Sequence, residues 1–112
     1  MPIFITQGRY TRDAIKGMVA RPEDRAEQVS RLISRIGGRL IGYYVTFGEY
    51  DFLTIAEVPD AAQMAAALLA GANSGGVTDL KTTIALSPVE AKGAFAAAGE
   101  LARGFRPAGG AM

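Results

Sequence analysis

Two β-rich runs stand back to back in the middle of the chain, 39-RLIGYYVTF-47 and 50-YDFLTIAEV-58, with only Gly48-Glu49 between them. Aromatic and β-branched residues dominate both, as a pleated and partly buried surface requires. A connection that short forces an antiparallel hairpin. A II′ turn has positive φ at its first central position, which suits Gly48. Counting outward from the turn opposes Phe47 to Tyr50, Val45 to Phe52, Tyr43 to Thr54 and Ile41 to Ala56 on one face. The other face carries Thr46 with Asp51, Tyr44 with Leu53, Gly42 with Ile55, and Leu40 with Glu57. A one-residue change in the loop would flip every assignment.

The flanks of the hairpin supply the remaining elements. Residues 3-IFITQGRY-10 read as a first strand. Thr11 caps a helix with Asp13 in its first turn and Ile15, Met18 and Val19 on one face. Arg21-Pro22 interrupts it, with Pro22 suited to a first helical position and Glu23 and Asp24 complementing a helix N-terminus. Val29, Leu32, Ile33 and Ile36 follow at helical spacing, and Gly37-Gly38 stops the element. The spacing predicts one kinked or doubled helical connection from about 11 to 36. After the hairpin, Asp60 caps a second helix with Gln63 three residues on. That helix, 61-AAQMAAALLAGA-72, is mostly alanine filler and stops at 73-NSGG-76. A fourth strand runs through 77-VTDLKTTIAL-86, and Ser87-Pro88-Val89-Glu90 opens a last helix with a Ser cap, Pro first and Glu third.

The order is β-α-β-β-α-β plus a terminal helix. This is the α+β, ferredoxin-like pattern, an antiparallel sheet with its helices on one face. Residues 1–103 form a single domain in this reading, and 104-GFRPAGGAM-112 is a disordered tail. The proposed second sheet face still carries Leu40, Tyr44, Leu53 and Ile55, while a chain of 112 residues has helices for one face only. Either a second subunit stacks its sheet there, or the last helix folds across. That helix offers Val89, Phe95, Leu101 and Phe105 among many alanines, a thin stripe for a whole sheet. A homo-oligomer with stacked sheets is therefore the expectation.

Composition narrows the chemistry. Twelve basic and eleven acidic residues leave a formal charge of +1, too little to steer the chain toward phosphate backbones or anionic lipid. With no Cys and no His, disulfides, thiol catalysis and the usual zinc, copper or haem ligands are missing. No EF-hand-like spacing supports a hard cation, so no metal and no cofactor are expected. No signal segment opens the chain, and no run approaches the ~20 apolar residues of a membrane span. A cytoplasmic protein without membrane attachment is the default expectation.

Asp51 is the first candidate for chemistry, as an acid/base or as partner to a ligand's polar group, with Tyr44 diagonal and Thr46 opposite. The competing structural reading has it pin the hairpin end through backbone or hydroxyl hydrogen bonds. Tyr50 can stack on a ligand or simply pair with Phe47. Arg9, Tyr10, Arg12 and Lys16 cluster at the Thr11-capped helix start, where a carboxylate or phosphate could sit. An RNA-binding platform is excluded. Tyr50 and Phe52 fall at stacking positions of 48-GEYDFLTI-55, but Glu49 and Asp51 would repel phosphates.

The run 48-GEYDFLTIAEVPD-60 resembles the signature of the GYD-domain family, in which Gly48, Tyr50 and Asp51 stand as the naming residues. The similarity extends over most of residues 1 to 86, through 35-RIGGRL-40, 43-YYVTFGEYD-51 and 82-TTIALSPVE-90. The resemblance implies a ferredoxin-like or dimeric α/β-barrel-like oligomer and little about activity. The expected function is a non-catalytic oligomeric module that binds a small ligand or a protein partner at a subunit cleft, with Arg9, Tyr44, Tyr50 and Asp51 as its contacts. The alternative is a small cofactor-independent oxygenase or isomerase with Asp51 as base.

Overall fold

A computed structural model describes residues 1–110. The eight elements are β1 (Ile3–Tyr10), α1 (Arg12–Ala20), α2 (Arg25–Arg35), β2 (Arg39–Val45), β3 (Phe52–Glu57), α3 (Ala61–Asn73), β4 (Val77–Ala85) and α4 (Pro88–Ala102). The strands form one sheet in the order β2-β3-β1-β4, with every neighbouring pair antiparallel. This is the ferredoxin-like arrangement expected from the element order.

Local chemistry explains the helix boundaries. Thr11 accepts from the Ala14 amide, Asp24 from Ala26, and Asp60 from Gln63, each satisfying an amide the helix itself leaves free. Ser87 and Glu90 form a reciprocal capping box with Pro88 in the first turn. The connection over 11–36 is doubled rather than kinked. Pro22 lies in the linker, and Asp24 starts the second helix. α2 ends in a Schellman motif: Gly37 has φ of 79°, its amide donates to Ser34 O at 3.0 Å, and the Gly38 amide donates to Ile33 O at 3.0 Å.

The buried core gathers Phe4 from β1, Ile33 from α2, Ala56 from β3, Val58 just beyond it, and Met64 and Ala67 from α3. Val29, Leu32, Ile36, Leu40 and Leu68 pack against it. Burying a side chain of this size stabilises the fold by roughly 1.5–3 kcal/mol. α4 has no buried residue and packs substantially against no other element. The radius of gyration is 18.3 Å, against roughly 13 Å for a compact chain of this length, because α4 projects from the body. Beyond it, residues 104–110 hold only local turns, such as Gly110 N–H to Pro107 O at 3.0 Å. Residues 111 and 112 of the expected tail lie outside the described residues.

The hairpin register agrees with the counted one at Val45↔Phe52, Tyr44↔Leu53, Tyr43↔Thr54 and Gly42↔Ile55. It then departs. A bulge between Leu40 and Gly42 pairs Leu40 with Ala56 and Arg39 with Glu57. Leu40 thereby reaches the core in place of Ile41, which is left exposed, and Arg39 forms an ion pair with Glu57. The turn also differs from the expected II′ type. Strand pairing stops at Val45 and Phe52, and Thr46 N–H closes the loop on Asp51 O at 2.8 Å. Among the described residues Gly48 is not one of the positive-φ glycines, and Phe47 points to solvent rather than pairing with Tyr50. Asp51 bonds both neighbours here, accepting from Thr46 N–H and donating its amide to Gly8 O of β1 at 2.8 Å.

Gly38 and Gly48 therefore respond oppositely to a methyl group. A Cβ on Gly38 would stand 2.4 Å from Glu57 O, a backbone atom that cannot turn aside, whereas nothing lies within 4 Å of one on Gly48. Gly38→Ala is expected to lower stability by about 1–3 kcal/mol. Gly48→Ala should stay within about 0.5 kcal/mol of the parent. Urea unfolding of both variants checks this, and a large loss for Gly48→Ala would restore the II′ turn.

Candidate functional site

Three of the four expected site residues, Arg9, Tyr50 and Asp51, meet at one corner of the sheet but do not enclose a cavity together. β3 has ended where β1 reaches Tyr10, so the Tyr10 amide needs another acceptor. Asp51 Oδ2 supplies it at 2.9 Å. Asp51 thus ties the hairpin to β1 twice, through its amide to Gly8 O and its carboxylate to Tyr10 N–H. Arg9 lies with its guanidinium carbon 5.6 Å from the centre of the Tyr50 ring, donates from Nε to Glu49 O at 2.8 Å, and stands 3.8 Å from Asp79. Asp79 has φ of 53°, where β4 bulges opposite Gly8, a conformation Asp tolerates better than most residues. Tyr44 sits away from this corner, 61% exposed, with its ring over the backbone of Gly42 on the outer sheet face. The Thr11 helix start is closed by its own chain, since Thr11 donates to Gly75 O and accepts from Ala14 N–H.

A larger space lies elsewhere, between the sheet and its helices. A cavity of about 540 Å³ runs beneath α1, α2 and α3. Its floor is an arc of three rings on neighbouring strands. Phe52 stands 5.2 Å from Tyr10 and 5.9 Å from Tyr43, stacked on the latter at 11°. The hydroxyls of Tyr10 and Tyr43 are hydrogen-bonded to each other. Phe52 can occupy this place only because residue 8 is glycine: a Cβ there would come within 2.6 Å of the Phe52 ring and 2.7 Å of Leu80. The helix side of the lining mixes small residues, Ala14 and Gly17 on α1 and Ala67 and Gly71 on α3, with the larger Met18, Leu32, Met64 and Leu68. Arg21, Glu23 and Arg25 line the rim.

Burial pushes the Tyr43 hydroxyl well above the ordinary tyrosine range, helped by the bond to Tyr10 and opposed by the charge of Arg25. At neutral pH this group is a fixed hydrogen-bond donor. Among the described residues, no group of three or more carboxylates could hold a metal ion, and no helix is long and apolar enough to cross a membrane. Sequence reasoning placed Tyr43 and Phe52 on the core face but missed the cavity. Its signal was the small residues of α1 and the run 65-AAALLAGA-72, read above as filler.

The outer sheet face carries three cross-strand rows. Tyr44, Leu53, Gln7 and Lys81 form one, Gly42, Ile55, Ile5 and Thr83 the next, and Glu57, Ile3 and Ala85 the last. No helix of the chain packs on it.

The chain and its sheet topology have counterparts among known proteins. The GYD domain family model matches residues 4–95. The chain belongs to the GYD-domain family. The matched span includes Tyr50 and Asp51 of the hairpin corner. A Thermus thermophilus relative, named glutamine synthetase and cystathionine beta-lyase binding protein, is 37% identical over 78 residues, spanning 69% of this chain and 81% of the relative. The crystal structure of TTHA0845, also from Thermus thermophilus, superposes with a TM-score of 0.50 at 17% identity, over 78% of this chain and 95% of that one. A Neisseria meningitidis transcriptional regulator, solved in complex with L-Met, gives 0.51 at 17% identity over 79% of this chain, which spans 51% of the regulator. At such identities the two structures establish the shared fold alone.

Two outcomes follow for this GYD domain. Asp51→Ala removes the acceptor for Tyr10 N–H and should cost about 1–3 kcal/mol in chemical denaturation, while Asp51→Asn, which keeps an oxygen there, should cost less. In an alkaline titration followed by tyrosinate absorbance, Tyr43 should ionise only above the usual range. Its folded-state pKa is raised, so its contribution to stability is complete below the unfolded value near 10 and is lost as pH climbs past it. Tyr43→Phe should abolish that late step.

Proposed function

We propose that this GYD domain is a non-catalytic, self-associating binding module that docks on an enzyme of amino-acid metabolism. Two copies stack their outer sheet faces, and the projecting α4 carries the partner-binding surface. The observation that supports this reading most is the outer face itself. Leu53, Ile55, Ile3 and Ile5 sit side by side in the cross-strand rows, and no helix covers them. Leaving such side chains in water forfeits up to about 1.5–3 kcal/mol each and leaves a continuous apolar patch. α4 adds Val89, Phe95 and Leu101, each at least three-quarters exposed. The relative's name supports a protein partner, because that protein is described by two enzymes it binds. The reading places the chain in the cytoplasm beside such enzymes.

Light scattering at micromolar concentration is expected to give a dimer or a higher oligomer, and Leu53→Asp or Ile55→Asp should reduce it to monomer. Only monomer in the parent chain would overturn the stacking. Purified glutamine synthetase and cystathionine beta-lyase from the source organism, immobilised for biolayer interferometry, test the partner. At least one should bind the full chain, and a chain ending at Ser87 should bind neither while still self-associating. Failure of both enzymes to bind would overturn the docking role without touching the dimer.

A further inference from the structure

The cavity beneath the helices lies on the opposite side of the sheet from the proposed stacking face and includes no residue of α4. Protein interiors close-pack, and voids much larger than a water molecule are few. A space of about 540 Å³ lies within the range that encloses a small organic ligand. Four of its helix positions, Ala14, Gly17, Ala67 and Gly71, are small and take up little of it, while the strands below supply three rings.

The chemistry of the walls defines the occupant. The Tyr10–Phe52–Tyr43 arc presents apolar ring surface to a flat molecule. The two hydroxyls share one hydrogen bond, which leaves one O–H free to donate and lone pairs free to accept. At the rim, Glu23 is paired with Arg25 at 3.0 Å, and among the described residues Arg21 has no carboxylate within salt-bridge range. The mouth is thus net cationic. We propose that this cavity binds a flat aromatic carboxylate, its rings over the Tyr10–Phe52–Tyr43 floor, an oxygen of its inner end on the tyrosine hydroxyls, and its carboxylate toward Arg21 and Arg25.

The probe is a hydroxynaphthoate with hydroxyl and carboxylate at opposite ends of its ring pair, titrated into the full chain by NMR alongside naphthoate and hydroxynaphthamide. Saturable shifts are expected at the Met18 and Met64 methyls and at Phe52. The hydroxynaphthoate should bind about 3–10-fold more tightly than either analogue, the scale of one hydrogen bond or one charge contact. Tyr43→Phe should remove its advantage over naphthoate, and the Arg21→Gln/Arg25→Gln pair its advantage over the amide. Gly17→Leu adds bulk to the lining at a position where nothing lies within 4 Å of a Cβ, and it should weaken all three probes more than about tenfold. Leu53→Asp, on the opposite face, should change none of them. No saturable shift at millimolar probe, shifts confined to the outer sheet face, or unchanged binding in a folded Gly17→Leu chain would each overturn the proposal. Should Gly17→Leu fail to fold, the Tyr43→Phe comparison decides alone: an undiminished hydroxyl advantage overturns it.

Discussion

The helices of this chain cover one side of a four-stranded sheet and leave the other side bare. Every feature of functional interest follows from that unequal allocation. On the covered side, Ile33, Met64 and Ala67 close on Phe4, Ala56 and Val58, and the layer is tight. Toward Tyr10 the same helices turn alanine and glycine to the sheet, and the layer opens. On the bare side, Ile3, Ile5, Leu53 and Ile55 are shielded only by one another. α4, which has enough length to lie across them, extends into solvent instead. A sheet so arranged has one face packed by its own helices and one face that none of them packs against, and it is on this second face that the proposed self-association rests.

The signature residues are best understood through backbone accounting. Tyr10 lies beyond the last β1–β3 pair, Gly8 with Phe52, so its amide would otherwise be unpaired in a partly buried place, and the Gly8 carbonyl at that pair needs a donor. Asp51 answers both, with an amide for Gly8 O and a carboxylate for Tyr10 N–H. Tyr50, one residue earlier, holds Arg9 over its ring, and Arg9 in turn bonds the Glu49 carbonyl. Three successive loop residues thereby fasten to one strand. A carboxylate committed to a main-chain amide orients structure, and this is the role its geometry favours over proton transfer.

Much of this architecture was legible in the sequence because caps and stops are local chemistry. Thr11, Asp60, Ser87 with Glu90, and Gly37-Gly38 declare helix ends without reference to the fold. The two bulges were not legible. The one at Ile41 exists because Leu40 fits beside Ala56 and Arg39 finds Glu57, and both gains depend on partners 16 or more residues away. Asp79 gives a faint sign of the other, as a residue that tolerates positive φ. The cavity was hidden for a different reason: it is made by side chains that are absent, and alanine on a helix carries the same propensity whether it faces a ring, a void or water.

The hairpin corner and the cavity are joined through Gly8 and Phe52. Asp51 holds the Gly8 carbonyl, the missing Cβ of Gly8 makes room for the Phe52 ring, and that ring is the centre of the aromatic floor between Tyr10 and Tyr43. Asp51 is also covalently next to Phe52 and bonded to the amide of Tyr10, so its two hydrogen bonds fix two of the three rings at their backbones. A side chain that touches no cavity can in this way determine the shape of one. Tyr50 and Asp51 thus belong to the brace that sets the floor, while the rings of that floor lie on the strands that the brace aligns.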